Sequence, residues 1–226
     1  MRPRGRETSP PMERPVNLER RTLSLTLAAA ALAGPAFSQP ALAPADQALV
    51  SRAVAYLEGL TEARGRFVQT DARGRATTGQ LFLKRPGKAR FAYDPPSGLL
   101  VVSDGGVVAI HDARLKTFDS YPLGATPLSL FLARTIRLDK GVAITRVARS
   151  ADGFSITARD GKKQTAGTIT LTFTDAPLAL AGWSVTDAQG RPTRVQLVGL
   201  QRASGLDRSL FVLKDPRPRN VGRGKV

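Results

Sequence analysis

Between Thr78 and Asp112 four short apolar runs are divided by three turn clusters: Arg85-Pro86-Gly87, Asp94-Pro95-Pro96-Ser97-Gly98 and Asp104-Gly105-Gly106. Proline removes a backbone donor and glycine supplies positive φ, so these clusters interrupt any helix or central strand. The intervening runs are either alternating or continuously apolar and too short for stable helices, so the stretch reads as an antiparallel meander. A chain organised around it folds as a sheet with short turns.

The flanking sequence extends that pattern. Leu49, Val50, Ala53, Val54, Leu57 and Leu60 recur at three- and four-residue spacing, which predicts an amphipathic helix over 45–60, begun near Pro44 and stopped by Gly59. Strands are expected at 64–70, 77–85, 89–93, 99–103, 107–111 and 116–121, then at 141–148, 153–159, 168–174, 180–187, 193–201 and 210–213. Such a series suits a barrel or a large curved sheet. Residues 127–133 are too few and too apolar for an independent helix, so they need a partner surface and could form a lid.

The N-terminus reads as a leader. Residues 1–19 are polar, Pro- and Arg-rich and without periodicity; Arg20-Arg21 then precedes a short Ala/Leu run over 22–33. Small residues follow, with cleavage expected after Ser38 or within 41–43. This is the order and size of a signal peptide, and the arginine pair permits either general or twin-arginine export. Domain boundaries follow: a disordered N-terminus plus signal peptide over 1–43, one folded domain over 44–213 and a flexible basic arm over 214–226.

Charge narrows the partners. The 34 Lys and Arg exceed the 18 Asp and Glu by 16; past residue 43, 28 basic and 15 acidic remain, a surplus of 13. A basic surface favours anionic partners, but the aromatics are not interleaved with the cations as a nucleic-acid stacking platform requires, so nucleic acid is not expected. The chain has no cysteine, which removes disulfides, thiolate ligands and cysteine nucleophiles. The single histidine, His111, ends a strand, and no Gly-x-Ser-x-Gly turn supplies a nucleophile for it. The aspartates sit mostly in turns, where their side chains favour turn geometry, so neither a catalytic pair nor a metal cluster is expected, and no cofactor.

Arg85 stands apart. By strand parity it shares a face with Leu81 and Leu83, so its guanidinium is either solvated at the strand end or set on the apolar side, where it requires hydrogen-bond partners.

The wording of the chain resembles the LolA family of periplasmic lipoprotein carriers. The resemblance is carried by Phe67-Val68-Gln69, Gly79-Gln80-Leu81-Phe82-Leu83, Lys84-Arg85-Pro86-Gly87, Phe91-Ala92-Tyr93, Pro95-Pro96, Val102-Ser103-Asp104-Gly105 and Pro127-Leu128-Ser129-Leu130-Phe131-Leu132. It implies a mainly β fold with α, an incomplete antiparallel barrel (half-barrel) whose helices form a lid over an apolar cavity. It also implies that Arg85 is the latch of that lid, bonding lid backbone until ligand arrives. Leu81, Leu83, Phe91, Tyr93, Val102, Ile110, Phe131 and Trp183 become candidate lining, though taken singly each reads first as an ordinary core residue. The implied cargo is acylated lipoprotein, taken as a monomer in the periplasm from an inner-membrane lipoprotein-release ABC transporter and passed to an outer-membrane receptor. Two other readings stand beside it: a lipid-sensing regulatory or cell-envelope protein with a similar half-barrel, and a periplasmic hydrolase. One departure is Lys88-Ala89, where family members often carry a large apolar residue after the turn.

Overall fold

The computed structural model describes residues 42–126, 128–136, 142–160 and 167–217; residues 1–41 of the expected leader, and 218–226 of the expected arm, lie outside them. Helix α1 (Pro44–Gly59) opens with a proline, whose missing N–H is harmless in a first turn, and with Asp46 at the positive end of the dipole. Eleven strands follow among the described residues. They are β1 (Glu62–Thr70), β2 (Ala76–Lys84), β3 (Lys88–Tyr93), β4 (Leu99–Asp104), β5 (Val107–Asp112) and β6 (Thr117–Pro122), then β7 (Val142–Ser150), β8 (Gly153–Asp160), β9 (Thr168–Asp175), β10 (Leu178–Thr186) and β11 (Pro192–Arg202). A short helix α2 (Ser129–Leu132) lies between β6 and β7.

The strands form a single open sheet in the order β6-β5-β4-β3-β2-β1-β11-β10-β9-β8-β7. Every neighbouring pair is antiparallel. Two meanders are thus joined in the middle by the β1–β11 ladder, while β6 and β7 remain as edges. Register shifts at Arg64/Arg66, Leu180/Gly182 and Ile144/Arg146 bend the sheet; each extra residue locally increases twist. Gly199, at φ +61°, supplies the left-handed residue in the β11 strand opposite the first shift. The result is the half-barrel.

Alternation decides what each face does. The rung Leu81–Phe91–Val101–Ile110 crosses β2 to β5 on the concave side. Phe67 on β1 faces Gly79 across the ladder, and its ring lies over the glycine, meeting Phe91 at 5.6 Å and Tyr93 at 5.0 Å between centroids. A Cβ on Gly79 would stand 2.6 Å from the Phe67 ring and 2.5 Å from the Ala92 carbonyl, so the missing side chain makes the room. Val50, Ala53 and Leu57 of α1 join Phe67, Phe91, Phe154, Phe173 and Trp183 in one buried cluster on this face.

The C-terminal segment differs from expectation. Residues 210–213 do not form a strand; Arg208–Phe211 is a 3-10 turn. The reason is topological: β11 already has β1 and β10 on its two sides, so the chain leaving it has no adjacent edge to join. Instead it is held to the other strands: Lys84 Nζ donates to Leu206 O at 2.9 Å, Glu62 Oε2 accepts from Leu206 N at 2.8 Å, and Arg90 Nη1 donates to Leu210 O at 3.1 Å. The Lys84 ion pair at 2.8 Å and the Leu206 amide hold the Glu62 carboxyl below its ordinary range.

Candidate functional site

The β2–β3 turn brings Arg85 under the helices. β2 ends at Lys84, and the Arg85 side chain turns in toward the lid rather than out to water: Nη1 donates to Leu57 O of α1, and Nη2 donates to Ala133 O, just after α2, at 2.6 Å. Both acceptors are carbonyls at helix C-termini, which leave their last carbonyls unpaired and carry partial negative charge. The last turn of α1 contains no basic residue of its own. The sheet supplies two, since Arg202 Nη1 donates to Gly59 O in the same turn. Five planar donors let one arginine bridge two carbonyls on separate elements, which lysine does less well. The arrangement is not fully satisfied: Arg85 Nε is buried without a hydrogen-bond partner. Burial pulls the guanidinium below its usual range, with Glu58 opposing.

Further bonds close this end. Gly87, at φ +74°, donates its N–H to Leu132 O at 2.7 Å, and Ser103 Oγ, buried, donates to Gly87 O at 2.6 Å. Ile136 N donates to Glu58 Oε1 at 3.2 Å. The two lid elements are therefore held differently. α1 is tied to the C-terminal meander by Arg52–Asp175 at 2.5 Å, by Asp46–Arg149 at 2.9 Å, and by Tyr56 edge-on to Phe173 at 6.1 Å. α2 is a single helical turn, bonded to the β2–β3 turn through Leu132 O and Ala133 O. Such a segment is weakly stable alone and opens more readily than a sixteen-residue helix.

The space beneath is occupied. Leu57, Leu123, Leu132 and Ile136 reach into the same cluster as Phe67, Leu81, Leu83 and Phe91. An empty apolar chamber is costly, and here the lid fills the space with its own side chains. Access for a ligand requires those side chains to leave.

Of the expected lining, Leu81, Leu83, Phe91 and Trp183 are buried on the concave face, with Phe91 and Trp183 edge-to-face at 5.9 Å. Tyr93 and Ile110 are half-buried there. Val102 is a correction: it pairs with Arg90 and Ala109, a register that turns it to the opposite face, and it is buried outside the main cluster. Phe131 belongs to α2, but its side chain lies outside the described residues. Sequence reasoning missed Phe67, Leu132, Gly87 and Glu58. Gly79 opposite an aromatic was the available signal for Phe67; nothing local marks a turn glycine as a bonding partner of the lid. Among the described residues no group of His, Asp and Glu could hold a metal ion, and no helix is long and apolar enough to cross a membrane.

Tyr93 marks where the apolar face ends. Its hydroxyl donates to Gln69 Oε1 at 2.7 Å, and burial raises its pKa from 10.0 to about 12. The folded state therefore keeps this proton longer than the unfolded chain. Its contribution to stability is full below pH 10 and is lost as pH rises from 10 towards 12. Spectrophotometric titration should show one tyrosine ionising late, and Tyr93→Phe should abolish that late step and flatten the alkaline fall in urea midpoint. An unchanged late step in the variant would refute the assignment.

A model of the family described as outer membrane lipoprotein carrier protein LolA matches residues 58–214. The outer-membrane lipoprotein carrier protein of Chromobacterium violaceum is 27% identical over 191 residues, covering 80% of this chain and 91% of that protein. Its namesake in Xanthomonas campestris pv. campestris is 30% identical over 187 residues, covering 76% and 85%. Similar solved structures include a LolA superfamily protein from Nitrosomonas europaea, 10% identical with TM-score 0.45, covering 74% of this chain and 97% of that one. The family match takes in the end of α1, all eleven strands, α2 and the C-terminal 3-10 turn. The chain therefore belongs to the LolA family of outer membrane lipoprotein carrier proteins.

Proposed function

We propose that this protein is a periplasmic carrier that covers the acyl chains of lipoproteins and moves them from the inner to the outer membrane. The observation that supports it most is the latched lid: an apolar concave face closed by a short helix whose attachment runs through Arg85 and the turn that follows it. Each methylene transferred out of water is worth about 0.8 kcal/mol, so a chain of about fifteen gains about 12 kcal/mol. That exceeds what a few leucines gain by closing, at about 1.5–3 kcal/mol each. Acyl chains can thus displace Leu132 and its neighbours, yet the closing energy is subtracted from their affinity, which keeps release feasible. The chemistry is binding alone, with Arg85 as gate and Leu81, Leu83, Phe91 and Trp183 as wall. Donor and acceptor in this reading are the lipoprotein-release ABC transporter and an outer-membrane receptor.

The direct test is mass spectrometry of the protein purified gently from periplasm. Triacylated peptides should co-purify with it and vanish after detergent washing. Recovery of the protein from the cytoplasm, or of phospholipid alone, would sink the carrier reading.

A further inference from the structure

Away from Arg85, at the opposite end of the strands, the concave face opens into a cleft of about 540 Å³. Three hairpins build its rim: the β1–β2 turn with Asp71 and Arg75, the β3–β4 turn with Pro95 to Ser97, and the β5–β6 turn with Asp112 and Arg114. β2 runs nine residues between the two ends, about 30 Å at 3.3 Å per residue. The ends differ in chemistry. The latch end spends its backbone groups on the lid, through Gly87 N, Leu132 O and Ala133 O. The rim end is polar, with Asp71, Asp94 and Asp112 each bonding groups of their own turns or neighbouring strands. Arg114 donates its backbone N–H to Asp112 Oδ1 and lines the cleft. Tyr93 is the boundary, its ring on Phe67 inside and its hydroxyl on Gln69 in the cleft wall.

We infer that this cleft holds the peptide end of an acylated cargo, the first few residues that follow the lipidated position; the inference rests on the carrier reading above. An amphipath whose chains lie on the concave face must leave its amides and ester carbonyls where water or polar groups can satisfy them, because an unpaired buried polar group costs more than it returns. At the latch end the backbone groups are taken up by the lid and the unpaired Arg85 Nε is buried; the rim end presents Gln69, Thr77, Ser97 and Arg114 beside an opening whose wall, at Tyr93, packs against the core cluster. Pro95 and Pro96, lacking N–H groups, offer no competing donors. Recognition is of peptide backbone and so tolerates varied cargo.

The chain has no cysteine, so single labels can be placed without background. Ser97→Cys and Arg73→Cys mark the rim; Gly106→Cys, exposed in the β4–β5 turn, marks the latch end. Each full-length variant is labelled with a benzophenone maleimide, mixed with a synthetic triacyl-cysteinyl pentapeptide biotinylated at its last residue, and irradiated. Loading is followed by the fluorescence of Trp183, the sole tryptophan. The rim labels should capture the peptide at least ten-fold more than the Gly106 label; two rim positions guard against one variant folding badly. Loading with equal capture, or with capture favouring Gly106, overturns the cleft assignment and leaves the carrier reading standing. No loading of the unlabelled protein overturns both.

Discussion

Arg85→Leu should load acylated peptide about 30-fold more tightly than the unaltered protein and fail to give it up. Two charge-assisted bonds, to Leu57 O and Ala133 O, disappear from the closed state. Each such bond is worth about 1.5–3 kcal/mol, and the desolvation of a guanidinium with an unpartnered Nε takes some of that back. A net loss of about 2 kcal/mol in closing is the figure behind the 30-fold. Because leucine adds apolar surface beside Leu83 and Leu132, loading itself gains. Arg85→Lys should fall between, since an ammonium cannot bridge both carbonyls with the same geometry. The measurement is binding by Trp183 fluorescence together with release from, and hand-over to, membrane vesicles. A variant that binds and hands over normally would remove Arg85 from the gate.

The second large effect concerns the sheet. Phe67→Ala should lower unfolding stability by about 3–5 kcal/mol, the range for deleting a buried aromatic. Phe67 is fully buried and touches the rings of both Phe91 and Tyr93. A small domain holds only about 5–15 kcal/mol in total, so the variant should show a markedly lower urea midpoint at unchanged slope. Gly79→Ala in the unaltered protein should also destabilise, because its Cβ meets both the ring and the Ala92 carbonyl. In the Phe67→Ala background half of that conflict is gone, and the two changes should couple by about 0.5–3 kcal/mol. Strict additivity would mean that the ring does not use the space over the glycine.

Much of this fold can be read from the chain. Asp94-Pro95-Pro96-Ser97-Gly98 and Asp104-Gly105-Gly106 punctuate the β3–β4 and β4–β5 hairpins as expected, because turn chemistry is local. The helix over 45–60 was also legible, since its stripe at Val50, Ala53 and Leu57 is the face it buries. Register was harder. Val102 sits one residue from Val101 in an apolar run without alternation, and nothing in Leu99-Leu100-Val101-Val102 says which of them faces the lid. The C-terminal segment was misread because apolar Leu210, Phe211, Val212 and Leu213 fit a strand locally; only the sheet order shows that no edge is free beside β11. For Arg85, parity pointed to the correct side of the sheet, while its acceptors come from 28 and 48 residues away and are backbone oxygens, which carry no residue signature.

The placement of α2 in the connection from β6 to β7 has a mechanical side. These two strands are the outermost of the sheet, so the chain carrying α2 runs from one bank of a trough to the other. Leu132 O and Ala133 O are moored to the β2–β3 turn, so anything that wedges that turn away from α2 bears on how firmly the roof can settle again.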